Sequence, residues 1–144
     1  LSKREDEAGL RKSQAAIEAL IAQEKSRGIA ADRIILAGFS QGCAMTLQTG
    51  LRHPEKLAGL LCLSGYVPIN ATLAAERNAA NQNTPIFMAH GRGDPIIPID
   101  RAEKSRDLLK ALDYSVEWHE YMMQHSVCPE EIDDISAWFK RVLC

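Results

Sequence analysis

No apolar run in this chain approaches the roughly 20 residues that a helix needs to span a bilayer. There is no clustered basic stretch either. The net charge is −2 and the two signs are interspersed, which argues against a nucleic-acid-binding surface. The four cysteines, Cys43, Cys62, Cys128 and Cys144, show no C-x-x-C spacing and no accompanying pair of histidines, so a zinc site is not expected. They read as free thiols of a reducing compartment, the cytoplasm. The first ten residues, LSKREDEAGL, are charged from the third position and do not form a signal peptide. What remains is a chain of 144 residues, 46% apolar and 25% charged. That is ordinary soluble-globular composition, and it is enough for one domain with a real core.

Hydrophobic periodicity alternates between two kinds. Residues 5 to 27 predict a helix, with Ile17, Leu20, Ile21 and Glu24 at helical spacing, Leu10 and Ala16 extending the stripe, and Gly28 as the stop. Short apolar runs at 33 to 38, 57 to 63 and 84 to 89 predict buried strands. A fourth strand, 115 to 121, alternates Val116 and Trp118 against Glu117 and His119, as an edge strand with one wet face should. Helices are expected at 42 to 51, 99 to 112 and from Pro129 onward, the last with Ile132, Ile135, Trp138, Phe139 and Val142 as its apolar face. Residues 69 to 84, with a weak helix near Leu73, read as a surface excursion, and His53 as a surface residue at a helix end. This alternation predicts an α/β fold: a mostly parallel sheet with helices on both faces, and ligands at the C-terminal ends of the strands.

At the end of the first strand stands Gly38-Phe39-Ser40-Gln41-Gly42, a G-x-S-x-G pattern. A serine hydroxyl is a poor nucleophile unless it is held out beside a base and near donors for an oxyanion. A sharp strand-to-helix turn does this, and glycines on either side remove Cβ atoms that would clash. The amides opening the helix, Gln41 N–H first, would face developing negative charge. The rival reading is a glycine-containing turn with an incidental serine, and the rest of the chain decides between them.

A serine nucleophile needs a base, and the base an orienting acid. Asp94 follows the third strand and His125 the fourth, so the chain order is Ser, Asp, His. That order is the one used by α/β-hydrolases. Asp100 competes with Asp94 but suits a helix N-terminus. His90 should be partly buried and hydrogen-bonded beside Gly91, and His119 should share a face with Glu117. Cys43 reads as a small packed residue.

GFSQG, HGRGDPIIP and YMMQHSVCPEEI resemble the phospholipase/carboxylesterase family, which includes bacterial carboxylesterases and acyl-protein thioesterases. The resemblance implies an α/β-hydrolase fold without a cofactor, acting on carboxylic esters or thioesters. Ser40 would be the nucleophile, Asp94 the acid and His125 the base, with Pro95, Ile96 and Ile97 beside the acyl pocket. Substrates would be a small ester, a lysophospholipid or an S-acyl group. Two departures stand out: Cys43 replaces a usual glycine, and no H-G-x-G-type loop precedes Ser40. Gln41 N–H is then the one recognisable oxyanion donor, and a missing second donor costs about 10²–10³ in rate. The chain is therefore expected to be one N-terminally incomplete domain, covering residues 1 to 144 and lacking the family's first strands. Its first strand would be an open apolar edge, a place for pairing with a second copy. The alternative reading is a truncated or degenerate hydrolase domain with little turnover, acting as an assembly or binding module.

Overall fold

In a computed structural model, residues 6–144 are described; residue 5, where the first helix is expected to begin, lies outside them. Four strands follow in chain order: β1 Ile35–Phe39, β2 Gly59–Leu63, β3 Ile86–Gly91 and β4 Val116–Tyr121. They form one sheet in the order β1-β2-β3-β4, with every pairing parallel. The helices are α1 Glu7–Ser26, α2 Gln41–Gly50, the single turn α3 Leu73–Glu76, α4 Ile99–Ala111 and α5 Pro129–Leu143. Among the described residues no helix is long and apolar enough to cross a membrane.

Pleating sends successive side chains to opposite faces. Leu60, Cys62, Ile86 and Met88 face one way and pack with Leu47 of α2, Leu51 just after it and Leu109 of α4. Leu61, Phe87, Ala89 and Tyr121 face the other way, against Ile135 and Trp138 of α5. Helices thus cover both faces, as the alternation of elements predicts. β1 is less protected than its apolar sequence suggests. Ala37 and Phe39 are exposed, because α5 reaches only the other three strands well and no described strand lies beyond β1.

Four local expectations need correction. In α1, Leu20 is 60% exposed. The inner side of that helix is largely polar: Gln14 accepts from Gln48 (2.9 Å) and Glu18 pairs with His53 (2.5 Å). His53 is accordingly buried, not a surface residue. The segment 69 to 84 is no mere excursion. Leu73 and Asn81 are fully buried, and the Asn81 amide bridges the His53 and Glu55 carbonyls and the Leu57 N–H. In α5, the inward stripe runs through Glu131, Ile135 and Trp138, while Ile132 is exposed. The apolar pattern gave Ile132 a core position that the helix phase assigns to Glu131. Burial pushes the Glu131 carboxyl up, reinforced by Asp134 nearby.

Candidate active site

The turn after β1 is tight. Ser40 takes φ 60° and ψ −116°, a left-handed backbone that a non-glycine residue rarely adopts. Its own amide donates to the Leu63 carbonyl of β2 (2.7 Å), which anchors the strained residue to the sheet. A Cβ at Gly38 would come within 2.1 Å of the Gly42 backbone. Gly42 itself has open space where its Cβ would be. Only the first glycine of the motif is therefore demanded by crowding. A further glycine, invisible to the motif, matters on the other side. A Cβ at Gly65 would lie 2.7 Å from the Ser40 carbonyl and 2.6 Å from Cys43. Cys43, fully buried, fills the space under the elbow as the small packed residue expected there.

Asp94 follows β3 in a turn closed by its own carboxylate. Oδ1 accepts the amides of Ile96 (2.8 Å) and Ile97 (2.9 Å), an Asx-type arrangement. That leaves Oδ2 directed outward. Burial works to raise the Asp94 carboxyl. The hydrogen bonds from His125 and from the Ile97 and Ile96 amides outweigh it and hold the group below its usual range.

His125 is carried by the loop between β4 and α5, and β4 is three strands away from β1. The loop must therefore cross the end of β3. It does so over Gly91, where a Cβ would lie 2.2 Å from the Gln124 carbonyl oxygen and 2.4 Å from that of Met123. The amides of Arg92 and Gly93 donate to Tyr121 and Met123 carbonyls and fix the crossing (3.0 and 3.1 Å). His125 thereby arrives between the other two groups. Its Nδ1 is 2.6 Å from Asp94 Oδ2, and its Nε2 is 2.9 Å from Ser40 Oγ. With Asp94 ionised, Nδ1 carries the proton and donates, so Nε2 is free to accept the serine proton. The imidazole also rests against the Phe39 ring, with centroids 4.9 Å apart.

The other sequence candidates lie elsewhere. Asp100 is exposed in the first turn of α4. His119 bonds Glu117 (2.8 Å) on β4. His90 is hydrogen-bonded, as expected, but fully buried where only partial burial is expected from its strand-end position. Pro95 and Ile96 are exposed on the Asp94 turn, while Ile97 is buried. Gln41 opens α2 directly after the serine. Among the described residues, no group of three or more His, Cys, Asp or Glu side chains is placed to hold a metal ion.

Comparison with known proteins agrees with the architecture. The chain is 42% identical over 139 residues to acyl-protein thioesterase 1 of Yarrowia lipolytica, covering 94% of this chain and 61% of that protein. It is 43% identical over 146 residues to acyl-protein thioesterase 1 of Gibberella zeae, covering 99% and 62%. The chain thus spans about three fifths of the length of these curated relatives. Among solved structures, Arabidopsis thaliana SOBER1 superposes with a TM-score of 0.93 at 29% identity, covering 98% of this chain and 68% of that one. Zea mays acyl-protein thioesterase 2 gives 0.84 at 25% identity, covering 100% and 70%. The fold is that of the α/β-hydrolase esterases and thioesterases. With a Phospholipase/Carboxylesterase family profile matching residues 1–143, this chain belongs to the phospholipase/carboxylesterase family.

Proposed function

We propose that this chain carries the catalytic residues of a serine hydrolase that cleaves carboxylic esters or thioesters. The observation that carries the reading is the continuous relay Ser40 Oγ, His125, Asp94, closed at 2.9 and 2.6 Å by residues from three separate strand ends. Ser40 attacks the acyl carbonyl while His125 Nε2 takes its proton. The Asp94 carboxylate stabilises the imidazolium that results. The tetrahedral oxyanion forms near the start of α2, where Gln41 N–H is the donor. His125 then returns the proton to the departing alcohol or thiol. Water, activated by the same imidazole, releases the acid and restores Ser40. Exposed Pro95 and Ile96, with Ile97 behind them, flank the acyl group. The names of the relatives favour an S-acyl substrate, with a small ester or a lysophospholipid as further members of the class. Four free cysteines favour the cytoplasm.

The test is labelling by a fluorophosphonate probe together with hydrolysis of an aryl ester and an acyl thioester. Ser40→Ala should abolish labelling and lower turnover by about 10⁶-fold, and Asp94→Asn by about 10⁴-fold. Turnover that survives Ser40→Ala would overturn the reading.

A second reading has its own support. β1 pairs with β2 alone among the described residues. Ladder alternation from the Ser40 amide to Leu63 leaves the amides of residues 35, 37 and 39 pointing away from β2. That edge is suited to pairing with another strand, including one from a second copy, and the domain would then act in assembly with little turnover. Sedimentation at increasing concentration, run beside the labelling assay, separates the two readings.

A further inference from the structure

We infer that His90 is a positioning residue of the Ser40–His125–Asp94 relay, acting through Asp94 and the turn that holds it. The inference rests on the reading of those three residues as a catalytic triad. His90 is the penultimate residue of β3, four before Asp94, and only 1% exposed. Its Nε2 lies 2.7 Å from the Ile97 carbonyl. A carbonyl oxygen only accepts, so Nε2 carries the proton and the tautomer is fixed. This bond ties the far end of the Asp94 turn back to the rigid strand it left. Residues 95 and 96 are exposed, and the remaining ties of the turn are the Asp94 carboxylate and the Asp94 amide, which donates to the Gly91 carbonyl (3.2 Å).

The same N–H faces the carboxylate. His90 Nε2 is 3.5 Å from Asp94 Oδ2, the oxygen that accepts from His125 at 2.6 Å. At that range it is not the main partner of Oδ2, but its dipole favours the oxygen staying where it is. Oδ2 is thus set between two imidazoles, one that bonds it and one that keeps it in place. A rigid, buried ring with a single donor at fixed reach does this, whereas an apolar side chain of similar size would leave the Ile97 carbonyl and the turn untied.

The other charged groups around His90 are already engaged or turned outward. Glu120 stands opposite it on β4 and is held by the Trp118 indole (2.8 Å) and by Arg92 (3.0 Å). Arg106 of α4 stacks over Trp118, and Asp100 and Arg101, in the first turn of the same helix, are exposed. Just past β2, the neighbouring group is the Ser64 amide, which donates to the Ala89 carbonyl. Asp94 is the carboxylate within 3.5 Å of the ring.

The experiment compares His90→Leu, His90→Asn and His90→Gln in the full chain. The glutamine amide can reach the Ile97 carbonyl, while the asparagine amide is one bond too short. Three readouts are taken: the low-field proton resonance of the Asp94–His125 hydrogen bond, kcat and KM per titrated active site, and the pH profile of kcat/KM. His90→Leu and His90→Asn should lower kcat by about 10–100-fold, as losses of such supporting partners do elsewhere, with KM little changed. They should also shift or erase the low-field resonance and move the acid limb of the profile to lower pH, because a freed carboxylate holds the imidazolium less well. His90→Gln should restore all three toward wild type. A folded His90→Leu or His90→Asn protein with wild-type resonance, per-site kcat and acid limb would overturn the inference. So would a loss of active fraction with no change per site. If leucine prevents folding, the asparagine and glutamine pair decides. Turnover surviving Ser40→Ala or Asp94→Asn would instead overturn the triad reading, while the resonance would still report whether His90 holds Asp94.

Discussion

The two edges of the sheet are built differently. β4 carries Glu117, His119 and Glu120, and each is engaged: Glu117 with Arg141 and His119, Glu120 with Arg92 and the Trp118 indole. Charges and side-chain bonds along a strand discourage another strand from adding to it. β1 reads Ile-Leu-Ala-Gly-Phe, with no charge at all. Yet β1 is the strand that presents the serine. The defended edge stands at the far side of the sheet from Ser40, and the undefended edge leads straight into it. The contrast teaches that β4 is finished against solvent, whereas β1 has the character of an interior strand.

The largest effect should come from the covered side. Trp138 is 2% exposed and packs on Phe87 with centroids 5.7 Å apart. Trp138→Ala should cost about 3–5 kcal/mol in urea unfolding. Phe39→Ala, at the exposed end of β1, should cost under about 1 kcal/mol in the same assay; equal losses would break the comparison. The elbow gives the next contrast. Gly38→Ala drives a Cβ into the Gly42 backbone and should cost more than about 2 kcal/mol together with fluorophosphonate labelling. Gly42→Ala enters open space inside a helix and should gain about 0.5 kcal/mol.

Ala37→Pro sharpens the comparison directly. It removes an amide that points away from β2, so the sheet should survive with a loss of about 1 kcal/mol, while any association through that edge should vanish in sedimentation. A further small effect is electrostatic and lies away from both edges. Glu76 accepts from Arg52 (2.7 Å) and Arg11 (2.8 Å), and these bonds hold its carboxyl down at about 2. A carboxyl lowered on folding stabilises above its ordinary value of 4.5 and loses that contribution as pH falls toward 2. The pair is partly exposed, so Glu76→Gln should cost about 1 kcal/mol at pH 7 and nothing near pH 2.

Most of this candidate site is legible from the chain because the proposed catalytic residues sit at strand ends, where periodicity changes abruptly. GFSQG, the Asp94 turn and the His125 loop each interrupt an apolar run, and the structure brings all three together. What cannot be read there depends on tertiary placement. Gly65 matters only because β2 ends against the Ser40 carbonyl. His90 looks like any strand-end histidine until the turn brings Ile97 O back to it. Asn81 hides in a polar stretch, although it brackets three backbone groups of the α2–β2 connection. Glu131 and Ile132 are adjacent in sequence, and only the phase of a docked α5 decides which is buried. Composition describes such residues as surface, and packing makes them interior.

The crossing of the His125 loop over Gly91 has a consequence in time. Ser40 and His125 are 85 residues apart in the chain and meet only across the width of the sheet. The elbow can form from β1, α2 and β2 as soon as these are made. The imidazole cannot arrive until β4 has docked on β3 and the loop has closed over its end. Contacts of such long separation form late in folding. A chain in which β4 has not yet docked therefore displays a strained serine without the imidazole beside it, and the Ser40–His125–Asp94 contacts are assembled only once β4 and the loop after it are in place.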